Sequence, residues 1–237
     1  MAVTTPNSTF PPADTQAALT TGQNRLRALL PTLTDEALRA PSALPGWTRG
    51  HVLTHIEGVG LALARQARYA LRGAQVDLYD GGRPARDAAI EAGHGRPAAQ
   101  LSSALEEALD EIEASWSAVE PTDWTRPVRH RDGTLETAAQ AWWRELEIHT
   151  ADALLGPTPR DWTLPFCAHL ITYLSPRLPH GHRVTLTATD NDDSWTFGEG
   201  RPVTVTGPAA DLAAWLAGRH PSTPLTGDPI PPLSEWP

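Results

Sequence analysis

The sequence predicts a chain of two parts, an N-terminal four-helix bundle and a small C-terminal α+β domain. In the first part, apolar residues recur at helical spacing in four long segments, which is typical of amphipathic bundle helices. In the second part, apolar and polar residues alternate as they do in strands. The segment Gly156-Pro157-Thr158-Pro159 separates the two patterns, and clusters of Gly and Pro interrupt regular structure. We therefore expect the bundle in residues 13–156 and the α+β domain in residues 160–220.

Four long helices are predicted for the bundle. Thr48 is a favourable N-cap for the second of them, because its hydroxyl can accept a backbone N–H. The connection that follows this helix, residues 73–97, contains five glycines and a helical stretch near residues 85–92. Long structured connections are often functional. The predicted helices are Asp14–Leu30, Thr48–Arg72, Ala98–Val119 and Thr134–Leu155.

The C-terminal domain is predicted to combine three strands with two helices. The strands are expected at residues 183–189 (RVTLTAT), 194–198 (SWTFG) and 202–206 (PVTVT), and the helices near 165–177 and 208–218. Two tails complete the chain. Residues 1–12 are expected to be flexible, and residues 221–237, with six prolines, to be extended.

Composition limits the partners of the protein. The net charge is -9, from 28 acidic and 19 basic residues, and every basic residue is Arg. This balance argues against nucleic acid and against an anionic membrane surface. No apolar run approaches the roughly 18 residues of a membrane span, and no secretory signal is visible, so we expect a cytoplasmic protein. With Cys167 as its single cysteine, the chain forms no internal disulfide.

On the second predicted helix, the angular position of His55 predicts that its side chain faces the core. At about 100° per residue, its apolar residues fall within about 40° of one line. His55 lies about 60° from that line and His51 about 100°. We therefore expect His55 to face inward and His51 to be peripheral, as an exposed residue near the helix N-terminus. The apolar line consists of Val52, Ile56, Val59 and Leu63.

The fourth predicted helix carries a carboxylate and an imidazole on its inner face. His149 lies within the apolar stripe and Glu145 about 60° beside it, whereas Glu147 is expected to point toward water. The stripe consists of Leu135, Trp142, Leu146 and Ala153.

His55, Glu145 and His149 together form a possible metal-ligand set. Burying these groups costs several kcal/mol unless they are paired or bind a metal. Two His and one Glu can hold a divalent ion and leave a coordination position open. A metal-free Glu–His hydrogen bond, with His55 elsewhere, explains the spacing equally well. The residues alone leave both interpretations open.

Four ordered motifs resemble one known family. They are LPGWTRGHVLTHI at residues 44–56, YDGGRPARDAAIEAG at 79–93, RELEIH at 144–149, and VTGPAADL with WLAGR at 205–212 and 215–219. Together they resemble the mycothiol-dependent maleylpyruvate isomerase family, which belongs to the DinB-like superfamily of metal-binding bundles. The resemblance spans nearly the whole chain. It implies a DinB-like four-helix bundle with an SCP2-like α+β domain after it.

The resemblance also implies a site and its cofactors. It implies a divalent metal, usually Zn²⁺, on His55, Glu145 and His149, and mycothiol as the thiol co-substrate. It further implies a catalytic arginine, which maps onto Arg219. Because the family's substrate carries carboxylates and Arg binds carboxylates through two hydrogen bonds, Arg83 and Arg86 are candidate substrate-binding residues.

The implied reaction is the cis–trans isomerisation of maleylpyruvate to fumarylpyruvate. A metal-bound thiolate would add to a conjugated carbon, the double bond would become single and rotate, and the thiolate would leave. One alternative is a mycothiol S-transferase that acts on an electrophilic metabolite or toxin. Another is a metal-binding or ligand-sensing module without catalysis. We expect a monomer or a homodimer with small-molecule partners.

Overall fold

A computed structural model describes residues 12–229 and 232–236 of the chain. The described residues divide into two compact units, with the division between Gly156 and Pro157. The first unit is helical, and the second combines helices with a four-stranded sheet. The predicted fold class, a four-helix bundle with a small α+β unit after it, is confirmed.

Four long helices form the bundle, and α3 lies at its centre. It packs against α5 and α6 and also contacts the shorter α4, whereas α1 packs on α6 and α5. The helices of this unit are α1 (Pro12–Leu29), α2 (Asp35–Arg39), α3 (Arg49–Leu71), α4 (Gly82–Gly93), α5 (Ala98–Ser117) and α6 (Leu135–Asp152). The predicted helical stretch in the long connection is therefore a full helix, α4, of twelve residues.

Threonine caps begin the two central helices, at Thr48 as the sequence predicts and at Thr134, the predicted start of the fourth helix. The Thr48 hydroxyl accepts the backbone N–H of His51 at the start of α3, and the Thr134 hydroxyl accepts that of Thr137 at the start of α6. Such caps satisfy backbone donors that have no partner within the helix. They fix the register of α3 and α6 and thus the direction of each side chain on them.

The predicted apolar stripes of α3 and α6 form the core of the bundle. Every residue of both stripes is at most 5% exposed. Close contact between α3 and α6 depends on Gly60, because a Cβ atom there would lie 2.8 Å from Cη2 of Trp142. This packing brings the polar residues beside the two stripes toward each other.

The C-terminal unit contains a mixed sheet in the order β2-β1-β3-β4. The central strands β1 and β3 are parallel, with Val184 opposite Val203 and Leu186 opposite Val205. Their apolar side chains are buried, and α8 contacts both strands and packs on α7. The elements are α7 (Leu164–Leu174), β1 (His182–Ala188), β2 (Ser194–Phe197), β3 (Arg201–Gly207), α8 (Ala209–Leu216) and β4 (Thr226–Gly227).

The fourth strand was not predicted. Thr226 and Gly227 lie in the segment expected to be an extended tail, but they pair with Thr206 and Val205 of β3. Two residues are too few to show an alternating pattern, so only the neighbouring strand reveals them. No helix in the described part of the chain is both long and apolar enough to cross a membrane.

Candidate metal centre

Two histidines and a glutamate meet between α3 and α6. The Glu145 carboxylate oxygen Oε2 lies 3.0 Å from Nε2 of His55 and 3.2 Å from Nε2 of His149. Each of the three residues offers one ligand atom, and all three atoms lie within 4.8 Å of one another. The structure therefore brings together the three residues that the sequence predicts as metal ligands.

The site exists because two capped helices face each other along their apolar stripes. His55 on α3 is 4% exposed and flanked by the buried Ile56 and Thr54. Glu145 and His149 are one turn apart on α6, so both side chains project in the same direction. The rings of His55 and His149 lie edge to face with centroids 4.6 Å apart.

Burial and charge give the three residues different protonation states. Burial lowers the pKa of His55, so its ring is neutral at pH 7. Glu145 is half-buried, which would raise its pKa, but hydrogen bonds to His149 and His55 hold that pKa well below the usual value. Hydrogen bonds to Asp152 and Glu145 overcome the effect of burial on His149 and raise its pKa to about 9. An ionised carboxylate thus lies between a neutral and a protonated imidazole.

Asp152 orients His149. Its carboxylate Oδ2 lies 2.9 Å from Nδ1 of His149, and the residue is 1% exposed. This contact keeps a proton on Nδ1 and directs Nε2 toward Glu145, as acidic partners of metal-binding histidines do. Asp152 was not among the predicted site residues. Its i, i+3 spacing from His149 was the available signal.

Arg86 of α4 approaches the cluster from another side. Its Nη2 atom donates to Nδ1 of His55 at 3.1 Å, and Nη1 donates to Asp87 at 2.6 Å. The guanidinium also lies 5.9 Å from the ring centroid of Trp47, which itself contacts His55 edge to face. Of the two arginines that the sequence predicts for this segment, the structure places Arg86 at the cluster.

Family models account for most of the chain. A model described as the mycothiol maleylpyruvate isomerase N-terminal domain matches residues 19–154, and one described as the MDMPI C-terminal domain matches residues 161–229. The first match alone covers more than half of the chain. The chain belongs to the mycothiol maleylpyruvate isomerase family. This confirms the resemblance found in the four sequence motifs.

Two solved structures resemble this family member over its length. One is the crystal structure of the mycothiol-dependent maleylpyruvate isomerase, which is 20% identical, has a TM-score of 0.83 and covers 96% of this chain and 98% of that chain. The other is a mutant of that enzyme with one histidine replaced by alanine, which is also 20% identical, has a TM-score of 0.82 and shows the same coverage. At this identity the likeness establishes the fold. A comparison with curated proteins gives no match.

The other two predicted arginines have different surroundings. The Arg83 side chain is 86% exposed and lies 3.9 Å from Asp87, so the structure does not bring it to the cluster. Arg219 belongs to the C-terminal unit. Its Nη1 atom donates to the carbonyl of Ala217 at 2.5 Å, and its guanidinium lies 5.7 Å from the ring centroid of Trp236.

Two expectations about neighbouring residues were wrong. Glu147 does not point toward water. It is 6% exposed and accepts a hydrogen bond from Arg25 at 2.5 Å, because α1 covers that face of α6. His51 is not an exposed residue either. It is 7% exposed, because its Nδ1 atom accepts the Thr48 N–H at 3.1 Å and its ring stacks on His94 with centroids 3.6 Å apart.

His51, Glu91 and His94 form a second group with metal-binding residue types. The Thr48 backbone N–H donates to Nδ1 of His51, so a neutral His51 ring carries its proton on Nε2, the atom that faces Glu91 at 3.7 Å. A metal would need the lone pair of that nitrogen. The fixed backbone donor therefore makes this group a poorer metal site than His55, Glu145 and His149.

Proposed function

We propose that this chain is a metal-dependent and mycothiol-dependent maleylpyruvate isomerase. His55, Glu145 and His149 would bind the metal, with Zn²⁺ as the ion that these ligands suit best. The observation that carries the proposal is the convergence of the three donor atoms within 4.8 Å, from two helices, in a member of this family.

The donor set fits a divalent ion. Two imidazole nitrogens and one carboxylate oxygen are the ligands of many catalytic zinc sites, which keep a fourth position open. Asp152 keeps the proton on Nδ1 of His149, so loss of the Nε2 proton leaves the tautomer that binding through Nε2 requires. When bound, such a metal lowers the pKa of a thiol ligand and so supplies a thiolate at neutral pH.

Binding through Nε2 of His55 would also redirect Arg86. In the structure Nδ1 of His55 accepts a hydrogen bond from Arg86. A His55 ring that binds through Nε2 carries its proton on Nδ1, and two donors cannot share a hydrogen bond. The guanidinium would then turn to another acceptor. We propose that this acceptor is a carboxylate of the substrate.

The proposed reaction needs a nucleophile, cation partners and a bond that can rotate. The thiolate of the co-substrate adds to a conjugated carbon of maleylpyruvate, and the electron pair of the double bond moves to the neighbouring carbonyl oxygen. The resulting single bond rotates. The electron pair then returns, the carbon–sulfur bond breaks, and the trans isomer and the thiolate leave. Arg86 would hold a carboxylate of the substrate, since Arg pairs with carboxylates in a bidentate geometry. For Arg219 we propose the catalytic role that the family resemblance implies.

The test measures the zinc content of the purified protein and the amount of mycothiol that remains after the reaction. The natural chain should hold about one zinc per chain and isomerise maleylpyruvate with mycothiol without consuming the thiol. The His55→Ala variant should lose both properties, and the exposed His180→Ala should keep both. Equal zinc content in His55→Ala would refute the ligand assignment.

The same assay distinguishes the alternatives for the activity. Net loss of mycothiol would indicate an S-transferase. A protein that holds zinc but changes neither compound would be a metal-binding module without this catalysis.

A further inference from the structure

A cavity of about 570 Å³ lies between α3 and α4, and His55 forms part of its wall. Small-molecule sites commonly occupy about 300–1,000 Å³. The cavity is bounded on one side by residues of α3, on the other by residues of α4, and by Tyr79 and Asp80 of the loop before α4. It therefore adjoins the candidate metal centre and has the volume for a substrate.

Most charged groups of the cavity wall are already paired with a group of opposite charge. Arg96 donates to Glu57 and also to the Thr54 hydroxyl, at 3.3 Å for the latter. Asp80 accepts a hydrogen bond from Arg65 at 2.9 Å. These groups satisfy one another, so they offer little charge to a ligand.

Donors that could bind a ligand are concentrated beside His55. Arg86 uses single N–H groups on Asp87 and His55, and a guanidinium has five. The Tyr79 hydroxyl interacts with Arg86, and burial raises the pKa of Tyr79 to about 12. Tyr79 therefore remains protonated at neutral pH and can donate to an oxygen atom. An acidic or carbonyl oxygen is the natural partner of this pair.

The rest of the wall is apolar. It is built from the aliphatic side chains of Val59, Leu61, Ala85, Ala89 and Ile90. Burial of apolar ligand surface against such walls is favourable, by about 0.8 kcal/mol for each methylene group. A small acid with no apolar part would use the donors beside His55 and leave these walls uncovered.

We propose that this cavity binds the electrophilic substrate, and that beside maleylpyruvate it accepts conjugated 4-oxo acids with an alkyl or aryl body. Arg86 and Tyr79 hold the oxygen atoms of the oxo acid beside His55, and the apolar body lies against Val59, Ala89 and Ile90. Maleylpyruvate is itself a conjugated 4-oxo acid, so the inference rests on the proposed function for the reaction. It deepens that function by naming the substrate class.

Binding can be tested without the reaction, by calorimetry with saturated 4-oxo acids that cannot accept a thiol. Levulinate carries the 4-oxo acid group with only a methyl group beyond the ketone. 4-Oxodecanoate carries the same group with a longer alkyl chain in place of that methyl group. Each methylene that enters the cavity should tighten binding by up to about fourfold. We therefore expect the longer acid to bind at least tenfold more tightly, in both metal-free and zinc-loaded protein.

Three variants separate the two parts of the site. Ala89→Phe fills the apolar part and should weaken binding of 4-oxodecanoate at least tenfold. Ala88→Phe, at an exposed position of α4 outside the cavity wall, is the matched control and should change nothing. Tyr79→Phe removes one donor and should weaken both acids by the same factor.

Two results would overturn the inference. One is equal affinity for the two acids, and the other is an equal effect of Ala88→Phe and Ala89→Phe. A protein that isomerises maleylpyruvate but shows either result keeps the proposed function and loses the cavity assignment. A protein that shows the chain-length effect but holds no zinc keeps the cavity assignment and loses the proposed function.

Discussion

At the scale of single residues, His149 shows how neighbouring charges prepare a side chain for its proposed role. Carboxylates lie at both of its ring nitrogens, Glu145 at Nε2 and Asp152 at Nδ1. They raise the pKa of His149 to about 9 although its burial acts in the opposite direction. The ring of His149 is therefore protonated at pH 7. A metal that binds Nε2 must displace that proton.

This competition predicts a pH-dependent metal affinity. Between pH 7 and pH 9, zinc affinity should rise about tenfold for each pH unit, and it should level off near pH 9 as His149 loses its proton. Asp152→Asn removes a charge without changing the shape of the side chain. It should weaken zinc binding about 10- to 100-fold at pH 9. It should also lower the pH at which the zinc affinity stops rising.

The measurement is zinc affinity by competition with a chelator over this pH range. His180→Ala, which alters an exposed histidine, is the control. An Asp152→Asn profile identical to that of the natural chain would show that Asp152 does not act on the metal through His149.

At the scale of elements, the close contact between α3 and α4 depends on glycines. A Cβ atom at Gly50 of α3 would lie 2.3 Å from the backbone carbonyl oxygen of His94, directly after α4. A Cβ atom at Gly93, the last residue of α4, would lie 2.7 Å from Cγ2 of Thr54. Small residues therefore allow α4 to pack closely enough to place Arg86 against His55.

Two substitutions on α3 test this packing. Gly50→Ala should destabilise the protein by about 1–3 kcal/mol, because a backbone segment must move to admit the methyl group. Gly58→Ala is the matched control, since nothing lies within 4 Å of a Cβ atom there. It should stabilise the same helix by about 0.5–1 kcal/mol. Urea unfolding measures both changes, and equal effects of the two substitutions would contradict the role of Gly50.

At the scale of the whole molecule, the proposed function draws on both units of the chain. The candidate ligands belong to the bundle and Arg219 belongs to the C-terminal unit. Arg219 is held beside the end of α8, where its backbone N–H donates to the carbonyl of Ala214 at 2.8 Å. Because the ligands and Arg219 belong to different units, we expect that metal binding and the role of Arg219 can be altered independently.

Arg219→Gln should leave zinc content unchanged and lower kcat/KM for maleylpyruvate. Losing one charged hydrogen bond costs about 1.5–3 kcal/mol, which corresponds to a decrease of roughly 10- to 100-fold. Arg201→Ala, at an exposed position of β3, is the control. Isomerisation at the natural rate by Arg219→Gln would exclude a role for this arginine in the reaction.

The periodic features of the chain were predictable because they depend on local geometry. Apolar spacing on α3 and α6 identified the core stripes, and Thr48 and Thr134 marked where these helices begin. The i, i+4 spacing placed Glu145 and His149 on one face. The same reasoning gave Glu147 the wrong environment, because a helical wheel drawn from one stripe does not reveal that α1 covers the opposite face.

The sequence by itself determined two units, the caps and apolar faces of the helices, and the three residues with metal-ligand chemistry. Tertiary structure decided what surrounds them: Arg86 on the ring of His55, Tyr79 beside Arg86, and the cavity between α3 and α4. The physical reason is the range of the interactions. Capping and amphipathic spacing operate within a few residues of one helix, whereas a cavity wall is formed by side chains from segments that become neighbours only when the chain folds.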